Sequence, residues 1–163
     1  MKPGFVAIPS EDAVRFWRGG VDAYGRLPEH AISDGGGVPC RHCLKMVQAG
    51  DAYLILAYRP FAGVNPYTET GPIFLHASRC QRAVMQEELP EILDSERYLL
   101  RGYSGAERII EGTGGVVARS EISGRAAYLL GNPNVAFVDV RSAANNCFQC
   151  RIVRLDQVSE RIT

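Results

Sequence analysis

The feature that most constrains the fold of this chain is a pair of cysteine- and histidine-bearing motifs at the two ends of residues 40–80. Cys40 and Cys43 are separated by two residues and follow a stretch rich in glycine and proline. His76 and Cys80 are separated by three residues and lie at the far end. A Cys-x-x-Cys pair can fold into a tight knuckle that presents both sulfurs to one point. The intervening chain must then fold back to bring the second pair to that point.

The residues between the two pairs predict a β-hairpin followed by a helix. Ala52–Tyr58 is a strongly apolar strand, and Pro72–Leu75 is predicted to return antiparallel to it. Ser78 with Gln81 three residues later matches an N-terminal capping box, and the helix must stop by Pro90. A knuckle, a hairpin and a helix that carries the second ligand pair together resemble a treble-clef zinc finger.

Cys40, Cys43, His76 and Cys80 are therefore the predicted metal ligands, and zinc is the predicted cofactor. Three cysteines with one histidine are an accepted ligand set for structural zinc. Two other interpretations stay open at this point. The four residues can be reduced cysteines and a histidine packed in the core, since free cysteine packs as a small hydrophobe. They can also contain a disulfide or a reactive thiol.

The composition is that of an ordinary globular protein, and it limits the classes of partner. The length of 163 residues predicts a single domain that spans residues 1–163. The 18 basic and 18 acidic residues cancel, so no global field attracts nucleic acid or anionic lipid. Sixteen of the basic residues are arginine, which suits the recognition of carboxylates and phosphates.

Neither a membrane-spanning segment nor a signal peptide is predicted. No apolar run reaches the length of a membrane span, and the first residues lack a charged and then apolar pattern. We therefore expect a cytoplasmic protein with no membrane partner, whose thiols stay reduced. The odd count of five cysteines also argues against a complete disulfide framework.

A loop rich in proline and glycine follows the first strand of the hairpin, over residues 59–71. A loop of this length inside a compact domain often carries function. Tyr67 and Glu69 are its most chemically interesting side chains. Arg41 and Tyr58 are further candidates to contact a small polar ligand close to the cysteines. The alternative is that Tyr67 and Glu69 only hold the loop in place through hydrogen bonds to the backbone.

The rest of the chain predicts hairpins and two more helices. Ser10 can cap a helix that ends at Gly19–Gly20, and another helix is expected over about residues 120–130. Val135–Val140 and Phe148–Leu155 form a last hairpin. The predicted fold class is α+β, with a mainly antiparallel sheet and about three helices. The first half contains the treble-clef-like segment of knuckle, hairpin and helix.

A second cysteine pair, Cys147 and Cys150, repeats the two-residue spacing but falls on a predicted strand. Side chains alternate across a strand, so residues i and i+3 point to opposite faces. Cys150 shares a face with Phe148 and Ile152, and it is predicted to be a core residue. Cys147 stays a candidate for a side chain that faces the first site.

Four motifs spread over the chain point to a known family. They are Pro39-Cys-Arg-His-Cys-Leu44, Ala57-Tyr-Arg-Pro-Phe61, Pro66–His76 with Cys80, and Asn146-Cys-Phe148. Together they resemble a bacterial family called domain of unknown function 1203, and the resemblance covers nearly the whole chain. It implies a small bacterial protein, and it implies no activity, cofactor or partner. It also implies a different site made of Cys43, His76, Cys80 and Cys147, because other members lack a counterpart of Cys40.

Two functions compete on this sequence. The first is a binding module with a structural zinc or cysteine/histidine site, because four protein ligands leave no open position for a substrate. The alternative is a small thiol-dependent enzyme or redox protein that uses Cys80 with His76 as its base. A thiolate at a helix N-terminus is favoured by the helix dipole. A nucleic-acid function of the finger-like segment is disfavoured by the zero net charge.

Overall fold

The computed structural model describes residues 1–157, which form two antiparallel β-sheets and two α-helices. The strands are β1 (Pro3–Val6), β2 (Glu29–Ile32), β3 (Ala52–Tyr58), β4 (Gly71–His76), β5 (Arg97–Tyr103), β6 (Gly115–Ala118), β7 (Phe137–Ser142) and β8 (Phe148–Arg154). The helices are α1 (Ser10–Trp17) and α2 (Ile122–Leu130), and short 3-10 turns cover Arg119–Glu121 and Leu155–Gln157. The predicted α+β class with antiparallel sheets is confirmed.

The larger sheet has five strands in the order β1-β8-β7-β5-β6. Helix α2 packs on one face because Ile122, Ala126 and Leu130 recur at helical spacing and are fully buried. They contact the inward-facing side chains of the strands, such as Leu100 and Val138. Each fully buried side chain of this kind stabilises the fold by about 1.5–3 kcal/mol.

The smaller sheet has three strands in the order β2-β3-β4. Strand β3 lies in the middle and is apolar on both faces, as the sequence predicts, and β4 returns antiparallel to it. Leu54 and Leu56 of β3 share a buried cluster with Ala13 and Phe16 of α1. Helix α1 therefore lies beside the end of β4 that carries His76.

Strand β8 connects the two cores through an irregularity in its pairing with β7. Cys150 pairs with Val140, but Phe148 pairs with Arg141, so Gln149 is an extra residue. A bulge of this kind changes the alternation, so that the residues on its two sides point to different faces. The prediction that Cys150 shares a face with Phe148 is therefore wrong. Phe148 joins the cluster around β3, whereas Cys150 is fully buried in the cluster beneath α2, in the predicted core position.

The prediction of a helix after Ser78 is wrong, so residues 1–157 contain two α-helices and not about three. The treble-clef interpretation accordingly lacks its helix. The backbone of this segment bonds to other parts of the chain instead of to itself. The Ala83 N–H donates to the His42 carbonyl over 2.9 Å, and the Phe5 N–H donates to the Gln86 carbonyl over 2.8 Å. Tertiary bonding overrides the local capping signal.

Neither helix within residues 1–157 combines the length and the apolar character that crossing a membrane requires.

Candidate metal centre

The knuckle predicted at the first cysteine pair is present over residues 39–46. The Cys40 N–H donates to the Lys45 carbonyl over 3.0 Å, and the Leu44 N–H donates to the Cys40 carbonyl over 2.9 Å. Leu44 takes a left-handed backbone conformation with φ of 56°, which lets the chain reverse tightly. The reversal brings Cys40 and Cys43 to the same side of the turn.

The structure brings the four predicted ligands together. Their donor atoms all lie within 4.8 Å of one another. The Cys40 and Cys80 sulfurs are 3.8 Å apart, and the Cys43 sulfur is 3.5 Å from the His76 Nδ1. His76 is the last residue of β4, and Cys80 follows in the irregular segment. We refer to Cys40, Cys43, His76 and Cys80 as the Cys3His cluster.

Two of these separations match the edges of a tetrahedron around one metal ion. With zinc–sulfur bonds of about 2.3 Å and zinc–nitrogen bonds of about 2.0 Å, the sulfur–sulfur edge is about 3.8 Å and the sulfur–nitrogen edge about 3.5 Å. A disulfide requires sulfurs about 2.05 Å apart, so the 3.8 Å between Cys40 and Cys80 is not a disulfide. The proximity of the four donor atoms is consistent with a metal site.

The environment of the cluster favours a thiolate on Cys40. Cys40 is fully buried, and its sulfur accepts the backbone N–H of His76 over 3.4 Å. The Cys43 and Cys80 thiols lower the pKa of Cys40 far below its ordinary value, and backbone N–H groups act in the same direction. The same hydrogen bond to Cys40 raises the pKa of Cys43 to about 11, and Cys40 and Cys43 raise that of Cys80. Among the three thiols of the cluster, the surroundings therefore favour the thiolate form at Cys40 and the protonated form at Cys43 and Cys80.

A fifth side chain that the sequence analysis did not identify, His42, contacts the cluster from inside the knuckle. Its Nδ1 lies 3.3 Å from the Cys80 sulfur, and its Nε2 lies 2.9 Å from the Ser10 hydroxyl. His42 is 2 % exposed. Its position between the two cysteines of the first pair was the only signal in the sequence, since Ser10 is 32 residues away.

Helix α1 supports the cluster from a second side. The Trp17 indole N–H donates to the His76 carbonyl over 2.8 Å, and the indole ring meets the His42 ring edge-on at 5.3 Å. The hydroxyl of Ser10, expected to cap this helix, points to His42 instead, and the helix has no side-chain cap. The helix thus orients both imidazoles that lie at the cluster.

One side of the Cys3His cluster opens to a cleft of about 680 Å³. Cys43, His76 and Cys80 line this cleft, whereas Cys40 does not. Its other walls come from residues 44–46, 48, 81–84, 86, 90 and 91. The cluster therefore has a buried side at Cys40 and a side that small molecules can reach.

Cys147, the fourth member of the site implied by the family resemblance, does not belong to the cluster. It lies in the turn between β7 and β8, where its thiol contacts the Asn145 carbonyl over 3.6 Å. The group of donor atoms within 4.8 Å contains Cys40 in its place. The structure thus brings together the set that the residue spacing predicts.

The guanidinium of Arg41, predicted to contact a ligand, is used inside the fold. Arg41 is buried and donates to the Phe148 carbonyl over 2.8 Å and to the Pro39 carbonyl over 2.7 Å. Burial lowers the pKa of Arg41 to about 10. The side chain fastens the knuckle to β8, so the cluster is anchored on the larger sheet.

Tyr58 and Tyr67 lie at separate places and not around one ligand. The buried Tyr58 hydroxyl donates to an Asp12 carboxylate oxygen over 2.7 Å, and burial raises the pKa of Tyr58. Tyr58 borders a second cleft of about 960 Å³ beside α1. Tyr67 is partly exposed, and the Arg108 guanidinium stacks over its ring at 4.7 Å. Both contacts hold neighbouring segments in place.

Glu69 fastens its loop through ion pairs and not through backbone hydrogen bonds. Its carboxylate lies 2.6 Å from the Arg101 guanidinium of β5 and 2.7 Å from that of Arg141 in β7. Arg141 is buried, with 5 % of its side chain exposed. The loop is therefore pinned to the larger sheet, away from the Cys3His cluster.

The comparisons with known proteins agree with the resemblance and add no activity. No curated protein and no solved structure matches the chain. The model of one family, described as a protein of unknown function (DUF1203), matches residues 37–154. This match includes the whole Cys3His cluster and His42, and it begins after α1. Since it spans well over half of the sequence, the chain belongs to the DUF1203 family.

Proposed function

We propose that this protein is a binding module whose Cys3His cluster holds one structural zinc ion. The observation that carries the proposal is the agreement between the cluster's separations, 3.8 Å and 3.5 Å, and the edges of a zinc tetrahedron. Three thiolates and one imidazole are soft ligands, and a tetrahedral set of this kind selects zinc over magnesium or calcium.

The zinc ion would cross-link segments of the chain that few other contacts hold together. It joins the knuckle, the end of β4 and the segment after Ala77, and residues 77–94 of that segment contain no regular secondary structure. Within residues 1–157, a single β-bridge, from Phe5 of β1 to Gln86, joins this segment to a sheet, so a cross-link at Cys80 would stabilise it directly. With four protein ligands, the ion has no open position for a substrate.

Metal analysis of the purified full-length chain tests this proposal. We expect one zinc ion per chain after extensive dialysis. Replacement by Co²⁺ should give the intense visible bands of a tetrahedral ion together with charge-transfer bands from sulfur. A protein that retains no metal, or whose cobalt form has the weak bands of an octahedral ion, would overturn the structural zinc site.

One observation favours a second candidate, a thiol-dependent enzyme or redox protein. Cys80 borders an open cleft and contacts an imidazole that is itself held by a hydroxyl, in the order Cys80, His42, Ser10. A nucleophile, a base and a group that orients the base stand in this order in many catalytic sites. The base in this version is His42, since the contact of His76 is with Cys43.

The metal content of the protein and the reactivity of the Cys80 thiol distinguish the zinc module from the enzyme. In the enzyme, the protein as purified contains no zinc, and a single thiol, mapped to Cys80 by mass spectrometry, reacts rapidly with iodoacetamide. In the zinc module, all the cluster thiols are protected until the metal is removed. Slow alkylation of Cys80 in a metal-free chain would eliminate the enzyme.

A further inference from the structure

His42 is a buried imidazole with a polar partner on each ring nitrogen. Ser10 Oγ lies 2.9 Å from Nε2, and the Cys80 sulfur lies 3.3 Å from Nδ1. The ring is 2 % exposed, and the edge contact with Trp17 restrains its plane. An imidazole held at both nitrogens and at its edge has one orientation available, so its contact with Cys80 is built into the fold.

The direction of these hydrogen bonds follows from the chemistry of a bound thiolate. A zinc-bound cysteine sulfur carries no hydrogen and can only accept. The Nδ1 of His42 must therefore donate to Cys80, and the lone pair on Nε2 then accepts the hydroxyl hydrogen of Ser10. The thiolate thus sets the tautomer, and the serine supports it by donating to Nε2, as second-shell groups commonly do for imidazoles at metal sites.

The sulfurs of Cys80 and Cys40 differ in the donor that hydrogen-bonds them: Cys80 relies on a side chain, whereas Cys40 has a backbone donor. Cys40 is fully buried and accepts a backbone N–H, that of His76, over 3.4 Å. In the part of the chain that the structure describes, the nitrogen that hydrogen-bonds the Cys80 sulfur belongs to the His42 side chain. Cys80 also lies on a segment without regular structure and borders the cleft of about 680 Å³.

We propose that Ser10 and His42 form a hydrogen-bond relay that positions Cys80 on the metal and protects its sulfur from electrophiles that enter the cleft. An N–H donor withdraws charge from a thiolate and so weakens its attack on carbon electrophiles. His42 is a positioning residue in this proposal and not a ligand. The proposal rests on the zinc site proposed above.

Alkylation of the zinc-loaded full-length protein by iodoacetamide, mapped by mass spectrometry, tests the relay. His42→Phe removes the donor but keeps an aromatic ring against Trp17. A hydrogen bond to a charged group contributes about 1.5–3 kcal/mol, so we expect Cys80 to react at least about 10-fold faster. Cys43 borders the same cleft and serves as the internal reference, because its rate should stay within about 2-fold.

Two further variants show whether Cys80 reacts faster because the hydrogen-bond donor of His42 is lost or because the surrounding structure is disturbed. His42→Asn places an amide nitrogen close to the former Nδ1, and we expect it to restore most of the protection of Cys80. Ser10→Ala keeps the donor at Nδ1 but removes the hydrogen bond that restrains the ring at Nε2, and we expect a rate between those of the parent and His42→Phe. His30→Phe, the same substitution at an exposed histidine of β2, is the matched control and should not change the rate.

The outcomes separate this proposal from the proposed function. A zinc-loaded parent whose His42→Phe and Ser10→Ala variants react at the parental rate overturns the relay and leaves the zinc site standing. A rise at Cys43 equal to that at Cys80 also overturns it, since that pattern reports a loosened knuckle. A parent without zinc overturns both. Should His42→Phe fail to fold, the comparison of Ser10→Ala with the parent decides by the same criterion.

Discussion

The two sheets of this protein are stabilised in different ways. The larger sheet is covered by α2 and by continuous apolar packing, and its other face carries ion pairs such as Asp139 with Arg151. The smaller sheet packs against α1, and beside it lie the knuckle and residues 77–94, which contain little regular structure. Those two segments meet at the Cys3His cluster.

The difference shows which part of the fold needs a cross-link. In the larger sheet, each strand gains from the burial of its neighbours, so stability is spread over many side chains. Around the cluster, side chains such as Arg41 and Arg82 donate to backbone carbonyls and so join the segments to each other. Stability there is concentrated in a few contacts, and one substitution can remove much of it.

The largest effect is expected when the cluster itself is broken by Cys40→Ser. Zinc content should fall from one ion per chain to less than about one tenth, because a structural site needs all four ligands. The stabilisation that bound metal supplies, about 4 kcal/mol at a thousandfold excess over Kd, corresponds to a loss of about 10 °C in Tm. Metal analysis and calorimetry measure the two quantities.

The matched control for this variant is Cys147→Ser, which changes a thiol outside the cluster. It should keep the metal and the parental Tm. Hydrogen exchange should locate the damage in Cys40→Ser, with faster exchange over residues 39–46 and 77–86 and unchanged protection in β5 and β7. Loss of metal in Cys147→Ser with retention in Cys40→Ser would move the site to the set that the family resemblance implies.

Asp139→Asn removes a buried ion pair from the larger sheet and provides the comparison with Cys40→Ser. Asp139 is fully buried and receives two hydrogen bonds from Arg151, at 2.7 Å and 3.1 Å. The substitution leaves the arginine without its counter-ion, which should cost about 3 kcal/mol, at the low end for buried pairs because Arg151 is partly exposed. Urea unfolding measures this loss, and the zinc content should stay at one ion per chain.

The loss of stability in Asp139→Asn can be compared with the loss at an exposed ion pair. Lys2 and Glu87 lie 3.4 Å apart with side chains 62 % and 48 % exposed. Lys2→Gln should change the free energy of unfolding by less than about 0.5 kcal/mol. Equal losses in Asp139→Asn and Lys2→Gln would contradict the view that the ion pairs of the larger sheet stabilise it through burial.

The pH dependence of zinc binding tests the electrostatics of the cluster. In the metal-free protein, the pKa of Cys40 is lowered by its thiol neighbours, so its sulfur is already a thiolate at pH 8. The pKa of Cys43 is raised to about 11 and that of Cys80 is raised as well, so both sulfurs carry protons. Zinc should therefore displace about two protons, and binding should strengthen by about 2.7 kcal/mol per pH unit near pH 8.

Proton release in a weakly buffered solution, followed with a pH indicator, measures this number. The experiment is done at pH 8, where ordinary imidazoles have no proton to release. Release of about three protons per zinc ion would show that Cys40 is also protonated in the metal-free cluster. Competition with a chelator at several pH values provides the slope independently.

A small effect, though larger than that of Lys2→Gln, is expected for Cys150→Ala. Cys150 is fully buried beneath α2, and burial raises the pKa of its thiol, so it is neither a ligand nor a nucleophile. Removal of one buried sulfur should cost about 1 kcal/mol through the cavity it leaves. Urea unfolding checks the cost, and metal loss in this variant would mean that the two cores are not independent.

Periodic patterns predicted much of this fold because they depend on neighbours in sequence. The bounds of β3, the antiparallel return of β4 and the last hairpin follow from apolar runs and turn residues. The ligand set also follows from spacing, since Cys40 with Cys43 predicts a knuckle and the hairpin returns His76 to it. In each case, the information lies within a short stretch of chain.

The missed features depend on partners that lie far apart in the sequence. The capping box at Ser78 is a genuine local signal, but the segment bonds to His42 and to Phe5 instead of to itself. The contact of His42 with Ser10 crosses 32 residues. Glu69 was identified as a residue of interest, but its partner Arg101 on β5 has no mark in the sequence. Side-chain chemistry alone does not specify such pairings.

The position of β8 between β1 and β7 has a consequence for how the protein folds as it is made. This strand pairs with β1 at the start of the chain and with β7, and its Phe148 carbonyl accepts the Arg41 side chain beside the cluster. A nascent chain that has left the ribosome only as far as Asn146 lacks all three interactions. Until β8 is made, β1 has the backbone hydrogen bond of Phe5 to Gln86 but lacks the strand it pairs with in the sheet, and an exposed strand edge of this kind can pair with other chains. Within the part of the chain that the structure describes, completion of both cores therefore depends on β8.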